Sequence, residues 1–447
     1  MPYSIERDDY WVADVTYVIG HRRPDTDSIA AALGYAWLLQ QTGHHGMVAT
    51  RAGVPSEQAR YALERFEQSP PRLLTDVAAT FHHVIERRPA VPPDAPLSVA
   101  LERVEHGEQI IPVAERDGLL LGIVTPLALA RIYARTFNSG KRFDGTSMPT
   151  CGELAEPPML FKSRARLSDH RKAIERAESN EFIVVDDRNL YEGIAVQRRV
   201  LQPPKARLIL VDHNELSQAV AGAEEAEIVG VLDHHRLGNP PTASPIPFMV
   251  DPVGSTSTLV AEQCRARRLT PPRPIAGLLL SGILSDTLVF RSPTTHERDF
   301  DAADWLSGVC LVDVLLYGKE LLNSSPGLST RTMDEILDGD RKEYDMGGLK
   351  VSLAQVEVTG MQELPQQREG LLQALSDRLD REGLAFIGLM ITDVVTGTSR
   401  MLVQGKRNIV DALPFAHVAD YDFDLEEIVS RKKQLAPALQ NAIESTL

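Results

Sequence analysis

Three polar residues stand in the gap between two apolar stretches of the segment VIGHRRPDTDSIAAALGYAWLL (18–39), namely His21, Asp25 and Asp27. An imidazole and two carboxylates at this spacing have two interpretations. They can shape a tight turn and cap the helix that follows, or they can bind a divalent metal ion. The other acids and histidines of the chain decide between these interpretations.

Further acids and histidines stand at the ends of other apolar stretches: Asp212 in LILVDHNE, Asp233, His234 and His235 in VGVLDHH, and Asp286 in LLLSGILSD. A lone acid in an apolar helical stretch, such as Asp286, is costly unless it is paired or binds a metal. Six side chains suffice for two metal ions if Asp212 bridges with both oxygens. One ion would have His21, Asp25 and Asp212, and the other Asp27, Asp212, His234 and Asp286.

Mixed imidazole and carboxylate ligands favour Mn²⁺, Co²⁺ or Zn²⁺ over Mg²⁺, which prefers oxygen ligands alone. Two such ions about 4 Å apart share a water molecule, lower its pKa and clamp a phosphoryl group during in-line attack. Each residue alone also has a plainer interpretation, since Asp25 or Asp212 could cap a helix and Asp-His-His could form a turn. Four separate elements that each supply a suitable residue favour the metal centre.

Buried strands must position these residues. Residues 15–23 are predicted to form a strand and a turn, and 27–41 a helix capped by Asp27 or Ser28. A second strand–helix pair follows in HGMVATRAG and SEQARYALERF, and three more strands in ARLILVDHNE, AEIVGVLDHH and PIPFMVDPVG. Continuous apolar strands indicate a parallel sheet buried on both faces. Open α/β sheets place functional residues at the carboxyl ends of their strands. The segment DPVGSTST (251–258) is either a phosphate-binding nest or a turn before a helix.

The chain divides into segments of different character. Residues 77–205 contain an internal repeat, in which IIPVAERDGLLLGIVT pairs with FIVVDDRNLYEGIAV, and each half runs turn, helix, strand, acidic turn, strand, helix. This order resembles a pair of CBS domains, and the alternative is a structural insertion without a ligand. The predicted α/β domain comprises 1–76 and 206–322. A hinge at 323–330 precedes a smaller α+β domain at 331–447.

Composition narrows the class of protein. The chain has 447 residues, 43% hydrophobic and 24% charged, and a net charge of −15. A surface this acidic argues against nucleic acid as a partner, and no apolar stretch is long enough for a membrane span. Three cysteines without metal-type spacing and an N-terminus without a signal-peptide pattern indicate the cytoplasm. An anionic substrate would need clustered cations or metal ions.

The motifs GHRRPDTDSI, LVDHNE, LDHHRLGN, SDT and SRKKQ, in this order, resemble the family II (manganese-dependent) inorganic pyrophosphatases of the DHH phosphoesterase superfamily. With the insert in this place, the chain is similar to the CBS-domain-containing type. The resemblance covers residues 14–76 and 206–447. It implies an α/β fold with a DHH domain built on a parallel sheet, an inserted CBS-domain pair, and a smaller C-terminal α+β, DHH-associated, substrate-binding domain.

The resemblance also implies a reaction and its residues. A hydroxide held by two metals would hydrolyse pyrophosphate to two phosphates, with two to three Mn²⁺ or Co²⁺ ions per subunit and Mg²⁺ accompanying the substrate. The six residues above would be the metal ligands. His213 and His235 would lie behind them, with His235 close to the phosphate and His213 or a water as general acid. Lys342, Arg431 and Lys432 would bind the phosphates.

CBS pairs in the resembling enzymes bind AMP, ADP or ATP. Of the ribose-binding pattern Gly-x-x-Thr-x-x-Asp, the first half keeps Thr125 but has Ala128 in place of the acid, and the second half has Val196 and Arg199. Arg199 could pair with a phosphate but cannot accept hydrogen bonds from ribose hydroxyls. Thr125 and Arg199 are therefore the predicted nucleotide contacts. A homodimer is expected.

Two other functions compete with pyrophosphate hydrolysis. A DHH phosphodiesterase or exopolyphosphatase would act on cyclic dinucleotides, short oligonucleotides or polyphosphate. Those that act on nucleic acid usually carry a Gly-Gly-His type motif in the C-terminal domain, where this chain has SRKKQ instead. A non-catalytic nucleotide sensor would have lost metal ligands, whereas all six are present. A small, highly charged substrate fits the sequence better than either.

Overall fold

The chain begins with two strand–helix units and a short third strand. This computed structural model describes residues 10–138, 149–238, 240–242, 244–324, 327–358, 360–393, 397–426 and 428–445, without the side chains of 136, 330, 432 and 433. The first elements are β1 (Thr16–Ile19), α1 (Thr26–Gln41), β2 (Met47–Arg51), α2 (Glu57–Arg65) and β3 (Arg72–Leu73).

The cap of α1 differs from the prediction. Asp25 has the extended backbone of an N-cap residue, and its Oδ1 accepts from the Ser28 amide at 2.9 Å. The prediction that Asp27 or Ser28 caps this helix was wrong, because both lie inside its first turn, where the backbone is already helical.

The insert follows β3 and repeats one order of elements. Its first half has β4 (Ile85–Glu86), α3 (Leu97–Glu105), β5 (Ile111–Ala114), β6 (Leu120–Val124) and α4 (Pro126–Asn138). Its second half has α5 (Cys151–Leu154), β7 (Leu160–Lys162), α6 (Leu167–Glu175), β8 (Glu181–Val185), β9 (Tyr191–Val196) and α7 (Gln197–Leu201). Each half contains a helix, an antiparallel strand pair and a second helix, which matches the repeat in the sequence.

The chain then returns to the first sheet with β10 (Arg207–Val211), β11 (Glu227–Asp233) and β12 (Phe248–Val250). Four helices follow: α8 (Thr256–Ala266), α9 (Arg273–Asp286), α10 (Glu297–Cys310) and α11 (Val314–Asn323). The six strands run in the order β12-β11-β10-β1-β2-β3, and every neighbouring pair is parallel. The predicted parallel sheet is confirmed.

Both faces of this sheet are buried, because side chains alternate along each strand. Val18 and Ile209 face a core that they share with α1, α8, α9 and α10. Tyr17 and Leu208 face a second core that includes Phe161 and other residues from the second half of the insert. The insert is therefore packed against the reverse side of the sheet rather than attached only by its two connections.

The C-terminal part is a mixed sheet with helices. Its elements are α12 (Met333–Asp338), β13 (Arg341–Met346), β14 (Leu349–Val358), α13 (Leu364–Glu382), β15 (Phe386–Asp393), β16 (Thr398–Gly405), α14 (Arg407–Asp411), β17 (Ala416–Ala419), β18 (Asp422–Asp424) and α15 (Ala436–Glu444). The strand order is β13-β14-β15-β16-β18-β17, and only β14 and β15 are parallel. In the SRKKQ motif, one wide helical turn (Arg431–Leu435) precedes α15.

Two further sequence predictions concern connections and membranes. Of the predicted hinge, residues 325 and 326 lie outside the described residues, and Leu328–Thr330 form one 3₁₀ turn. Within the described ranges, no helix combines the length and the apolar character that crossing a bilayer demands.

Candidate metal centre

The six predicted metal ligands converge at one edge of the parallel sheet. β1, β10 and β11 are neighbours in the sheet, so the residues that follow their carboxyl ends meet in space. Their ligand atoms form two groups in which all members lie within 4.8 Å of one another. These groups are His21, Asp25 and Asp212, and Asp27, Asp212, His234 and Asp286.

Asp212 belongs to both groups, and its two oxygens face different imidazoles. Oδ2 lies 3.4 Å from Nε2 of His21, and Oδ1 lies 3.5 Å from Nε2 of His234. The side chain is 1% exposed, and the backbone has a φ of 60°. Asp tolerates this left-handed conformation better than most residues. The turn after β10 thus directs one carboxylate between the two groups.

Asp27 is completely buried and held by the turn between β12 and α8. Its Oδ2 accepts from the Thr256 amide at 2.7 Å, and its Oδ1 accepts from the Ser255 hydroxyl and the Ser257 amide. A Cβ on Gly282 of α9 would come within 2.6 Å of Oδ1, so this close approach requires glycine. The turn amides of DPVGSTST bind a carboxylate of the chain itself, which favours the structural interpretation of this segment over a phosphate nest.

Asp25 and Asp286 complete the two groups from opposite sides. Asp25 caps α1 with one oxygen, and its Oδ2 lies 3.2 Å from Nε2 of His21. Asp286 is the last residue of α9, and its Oδ2 lies 3.5 Å from Nε2 of His234. The helix-capping and ligand interpretations of Asp25 are therefore compatible, because each uses a different oxygen.

Backbone carbonyls set the tautomer of two histidines. Nδ1 of His234 lies 3.0 Å from the Val253 carbonyl, and Nδ1 of His213 lies 2.9 Å from the Val211 carbonyl. A carbonyl only accepts, so each Nδ1 carries the proton and Nε2 of the neutral ring is free to act as a ligand. The pKa of His213 is lowered to about 4 by burial. His213 therefore has no proton on Nε2 to donate, which makes it a poor general acid.

Two buried ligand atoms, Oδ2 of Asp212 and Nε2 of His234, lack a hydrogen-bond partner among the described residues. Unsatisfied buried polar atoms are costly, and a divalent cation in each of the two groups would satisfy them. The donor set of imidazole nitrogens and carboxylate oxygens also suits Mn²⁺, Co²⁺ or Zn²⁺.

The charges of the metal-free centre are balanced by protons. Burial, together with neighbouring carboxylates, raises the pKa of Asp27 to about 7 and that of Asp286 well above its usual value. Burial alone would lower the pKa of His21 and of His234, but the nearby carboxylates outweigh burial and raise both to about 11. Bound cations would have to displace these protons.

Asp233 orients the Asp-His-His loop. It is fully buried, and its Oδ1 accepts from the His234 amide and lies 2.9 Å from Nδ1 of His235. Its Oδ2 accepts a hydrogen bond from the side-chain nitrogen, Nδ2, of Asn214. His235 itself is half-exposed, with Nδ1 3.9 Å from Oδ1 of Asp212. Sequence reasoning missed this positioning role of Asp233 and Asn214, although their motifs, LDHH and VDHN, were recognised.

The predicted phosphate-binding cations are placed differently. Lys342 is exposed on β13. Arg431 is 5% exposed and donates to the Asp340 carboxylate at 2.9 Å as well as to the Asp340 carbonyl. The Lys432 side chain lies outside the described residues. Arg331, which the sequence analysis did not name, lines a cavity beside Asp25 and Asp286, and no motif in the sequence marked it.

The predicted nucleotide contacts lie in the insert. The Thr125 hydroxyl accepts from the Ala128 amide at 3.1 Å, as an N-cap of α4 does. Arg199 is about half-exposed, and its Nη1 lies 3.5 Å from the Glu86 carboxylate. Both residues therefore have partners within the insert.

Comparison with known proteins places the chain in a family. The profile of the DHH family N-terminal domain matches residues 15–283, and that of the DHHA2 domain matches residues 319–442. The chain belongs to the DHH family. The DHH match contains five of the six ligands of the candidate centre, and the sixth, Asp286, lies just beyond it.

Several relatives of this DHH protein are pyrophosphatases. The manganese-dependent inorganic pyrophosphatase of Methanothrix thermoacetophila is 26% identical, over 96% of this chain and 99% of that protein. The cobalt-dependent enzyme of Clostridium perfringens is 25% identical, over 96% and 98%. A streptococcal protein (Streptococcus pyogenes serotype M49), named probable manganese-dependent inorganic pyrophosphatase, is 37% identical, over 56% of this chain and 81% of that protein.

A solved structure confirms the fold of this DHH protein. The crystal structure of a Methanococcus jannaschii protein assigned to the family II inorganic pyrophosphatases aligns with a TM-score of 0.55 and 23% identity. The alignment covers 96% of this chain and all of that one. The predicted combination of a parallel-sheet DHH domain with a DHHA2 domain is therefore confirmed.

Proposed function

We propose that this protein hydrolyses inorganic pyrophosphate to two phosphates at a centre of two divalent cations, Mn²⁺ or Co²⁺. The relatives named for this activity align with the chain over nearly its whole length. The position of Asp212 carries the proposal, since its two buried oxygens face two separate imidazoles.

The chain's own residues divide into two metal-binding groups. His21 and Asp25 would hold one cation, Asp27, His234 and Asp286 would hold the other, and Asp212 would bridge them. Such a pair, when bound, shares a hydroxide at neutral pH and neutralises charge on the phosphoryl group. Ligand atoms without other partners and fixed imidazole tautomers support this assignment.

The remaining residues bind and orient the substrate. His235 is half-exposed beside Asp212, and Asp233 sets its ring position. Burial would lower its pKa, but the Asp233 carboxylate outweighs burial and raises it, so the doubly protonated ring can donate from Nε2 to a phosphate oxygen. Arg431 and Lys342 stand on the C-terminal domain. Arg431 would have to leave Asp340 before its guanidinium could bind an anion. The leaving phosphate would then take its proton from a water rather than from His213, whose Nε2 is unprotonated.

We further propose that adenine nucleotides regulate the reaction through the insert, which would be a CBS pair. The second half of the insert shares a hydrophobic core with β1 and β10, the strands that carry His21 and Asp212. A ligand that shifted this half would act on the reverse side of the catalytic sheet. Thr125 and Arg199 remain the proposed nucleotide contacts, and a homodimer remains a prediction.

A colorimetric phosphate-release assay on pyrophosphate and polyphosphate tests the proposal. Chromatography of the products tests the cyclic dinucleotide, because cleavage of its phosphodiester bond gives a phosphomonoester and no free phosphate. Pyrophosphate with Mn²⁺ or Co²⁺ should be hydrolysed rapidly, whereas a cyclic dinucleotide and polyphosphate should be poor substrates under the same conditions. Faster turnover of either control would identify a phosphodiesterase or an exopolyphosphatase. No turnover with any of them would support the non-catalytic sensor. Addition of AMP, ADP or ATP tests the regulatory part.

A further inference from the structure

A cavity of about 590 Å³ opens beside the metal centre, between the DHH domain and the C-terminal domain. Four acids contribute to its wall: Asp25 and Asp286 of the centre, Glu57 of α2 and Glu357 of β14. Burial, together with the proximity of Asp340 and Asp25, raises the pKa of Glu357, while Arg331 acts in the opposite direction. An anionic substrate that enters this space meets a wall of carboxyl groups, of which bound metal ions would offset the charge of Asp25 and Asp286.

Arg331 is the one lysine, arginine or histidine among the described residues that line this cavity. It follows the 3₁₀ turn at Leu328–Thr330 and directly precedes the capping residue of α12, Thr332. Its Nη2 donates to the backbone carbonyl of Glu357 at 3.2 Å. A carbonyl carries no formal charge, so this contact positions the guanidinium, while the carboxylates of Glu357 and Glu335 lie close enough to act on its charge.

Arg331 also lines an adjoining cavity of about 350 Å³, together with Gln58, Gly339 and Asp340. It therefore stands where the two domains face each other. Arg23 of the DHH domain donates to the Gly339 carbonyl at 2.9 Å across the same gap, so the domains are already in contact here. A ligand in the larger cavity would contact the metal centre and Arg331 at once.

Two other cations of the C-terminal domain, Arg431 and Lys342, are less well placed among the described residues. Arg431 is bonded to Asp340, and Lys342 does not line the cavity. Arginine presents several donors in a plane and binds phosphate oxygens in pairs. The guanidinium of Arg331 therefore offers what a phosphate group in this cavity requires.

We propose that Arg331 binds the phosphate group of pyrophosphate that lies farther from the metal ions, as a substrate-binding residue. This inference rests on the proposed pyrophosphatase function and specifies how the C-terminal domain takes part in it. Because the contact is made to the substrate, its loss should weaken binding as well as lower the rate.

Three variants of the full chain test the role. Arg331→Gln removes the charge, and Arg331→Lys keeps the charge but not the paired donors. Arg381→Gln makes the same charge change at the exposed C-terminal end of α13, outside the cavity. For each protein loaded with Mn²⁺, calorimetry measures the affinity for imidodiphosphate, in which a nitrogen replaces the bridging oxygen. Steady-state assays give kcat and KM, and thermal unfolding checks the fold.

Arg331→Gln should weaken imidodiphosphate binding about 10- to 100-fold, the loss typical of one hydrogen bond to a charged group. Arg331→Lys should recover part of this loss, and Arg381→Gln should match the unmodified protein. Equal binding by Arg331→Gln and the unmodified protein would overturn the inference. So would a loss that Arg331→Lys does not reduce and that accompanies a lower unfolding temperature, since that result indicates a structural role.

The binding measurement separates this inference from the proposed function. If the unmodified protein binds imidodiphosphate but releases no phosphate from pyrophosphate, the hydrolytic function fails. The effect of Arg331→Gln on binding still decides the role of Arg331. If the unmodified protein neither binds nor hydrolyses, both proposals fall.

Discussion

The acids of the DHH domain and the cations of the C-terminal domain are organised in opposite ways. His21, Asp212 and the other predicted ligands lie within two compact groups, and two of their buried ligand atoms lack a hydrogen-bond partner among the described residues. Of the predicted cations, Arg431 is bonded to Asp340 and Lys342 is exposed on β13, and the Lys432 side chain lies outside the described residues. One half of the site is preorganised, and the other half is not.

The difference follows from the elements that carry each set. Neighbouring parallel strands bring the residues after their carboxyl ends to one edge, so convergence is built into the sheet. Lys342 lies on a strand of a mixed sheet and Arg431 in a wide helical turn, so the shared end of parallel strands does not bring them together. Their approach to the substrate depends on the arrangement of two domains, and such arrangements change on binding.

Removal of the shared ligand should have the largest effect. Asp212→Asn removes one charge but tolerates the left-handed backbone at this position. We expect a loss of at least about 10³-fold in phosphate release, since the amide keeps only one, uncharged, ligand oxygen and cannot bridge the two cations. Metal content after dialysis should fall in parallel, while the metal-free protein keeps its circular-dichroism spectrum. Near-normal turnover with Mn²⁺ would refute the bridging role and the contrast drawn above.

Substitution of a residue that supports the ligands should have a smaller effect on metal binding and activity. Asp233→Asn leaves every proposed ligand in place but weakens the hold on His235 and on the loop that carries His234. Loss of such an outer partner typically costs about 10- to 100-fold in metal affinity or activity. Calorimetric Mn²⁺ titration measures it. An unchanged Mn²⁺ affinity would mean that the loop needs no support from Asp233.

The affinity of the two metal-binding groups of the DHH domain for metal ions should also depend on pH. The pKa values of His21 and His234 are raised to about 11, against a usual 6.5. The protonated imidazoles therefore stabilise the folded, metal-free protein. This contribution to the free energy of unfolding is complete below pH 6.5 and lost as pH rises through 11. Both imidazoles therefore carry protons at pH 7 that Mn²⁺ must displace. Mn²⁺ affinity should rise with pH, about tenfold per unit for each proton released. Titrations at pH 6.5 and 8 in two buffers count these protons, and a flat profile would contradict the charge balance.

The insert should have the smallest effect. AMP, ADP or ATP should change the rate of pyrophosphate hydrolysis by about fivefold, near the lower end of allosteric coupling. Arg199→Ala should reduce this response, because it removes a phosphate-binding candidate that Glu86 now holds. Each protein without nucleotide provides its own baseline. Equal responses in both proteins would exclude Arg199 as a contact, and no response in either would favour a purely structural insert.

Much of the catalytic half could be predicted because its signals are local. Apolar strands that end in Asp or His predicted both the parallel sheet and the residues at its edge. The N-cap of α1 was mispredicted, since several polar residues in a row can each cap a helix and only the backbone at Asp25 decides. Asp233 and Asn214 were missed because their hydrogen bonds join separate strands.

The sequence by itself determined which residues could bind metal ions, the strands that carry them and the family to which they point, because residue type and hydrophobic pattern are written along the chain. Only the tertiary structure decided that Asp212 lies between two imidazoles, that Asp27 occupies the turn amides, and that Arg331 faces the cavity. Those contacts join residues far apart in sequence, and packing between elements, rather than local preference, sets their geometry.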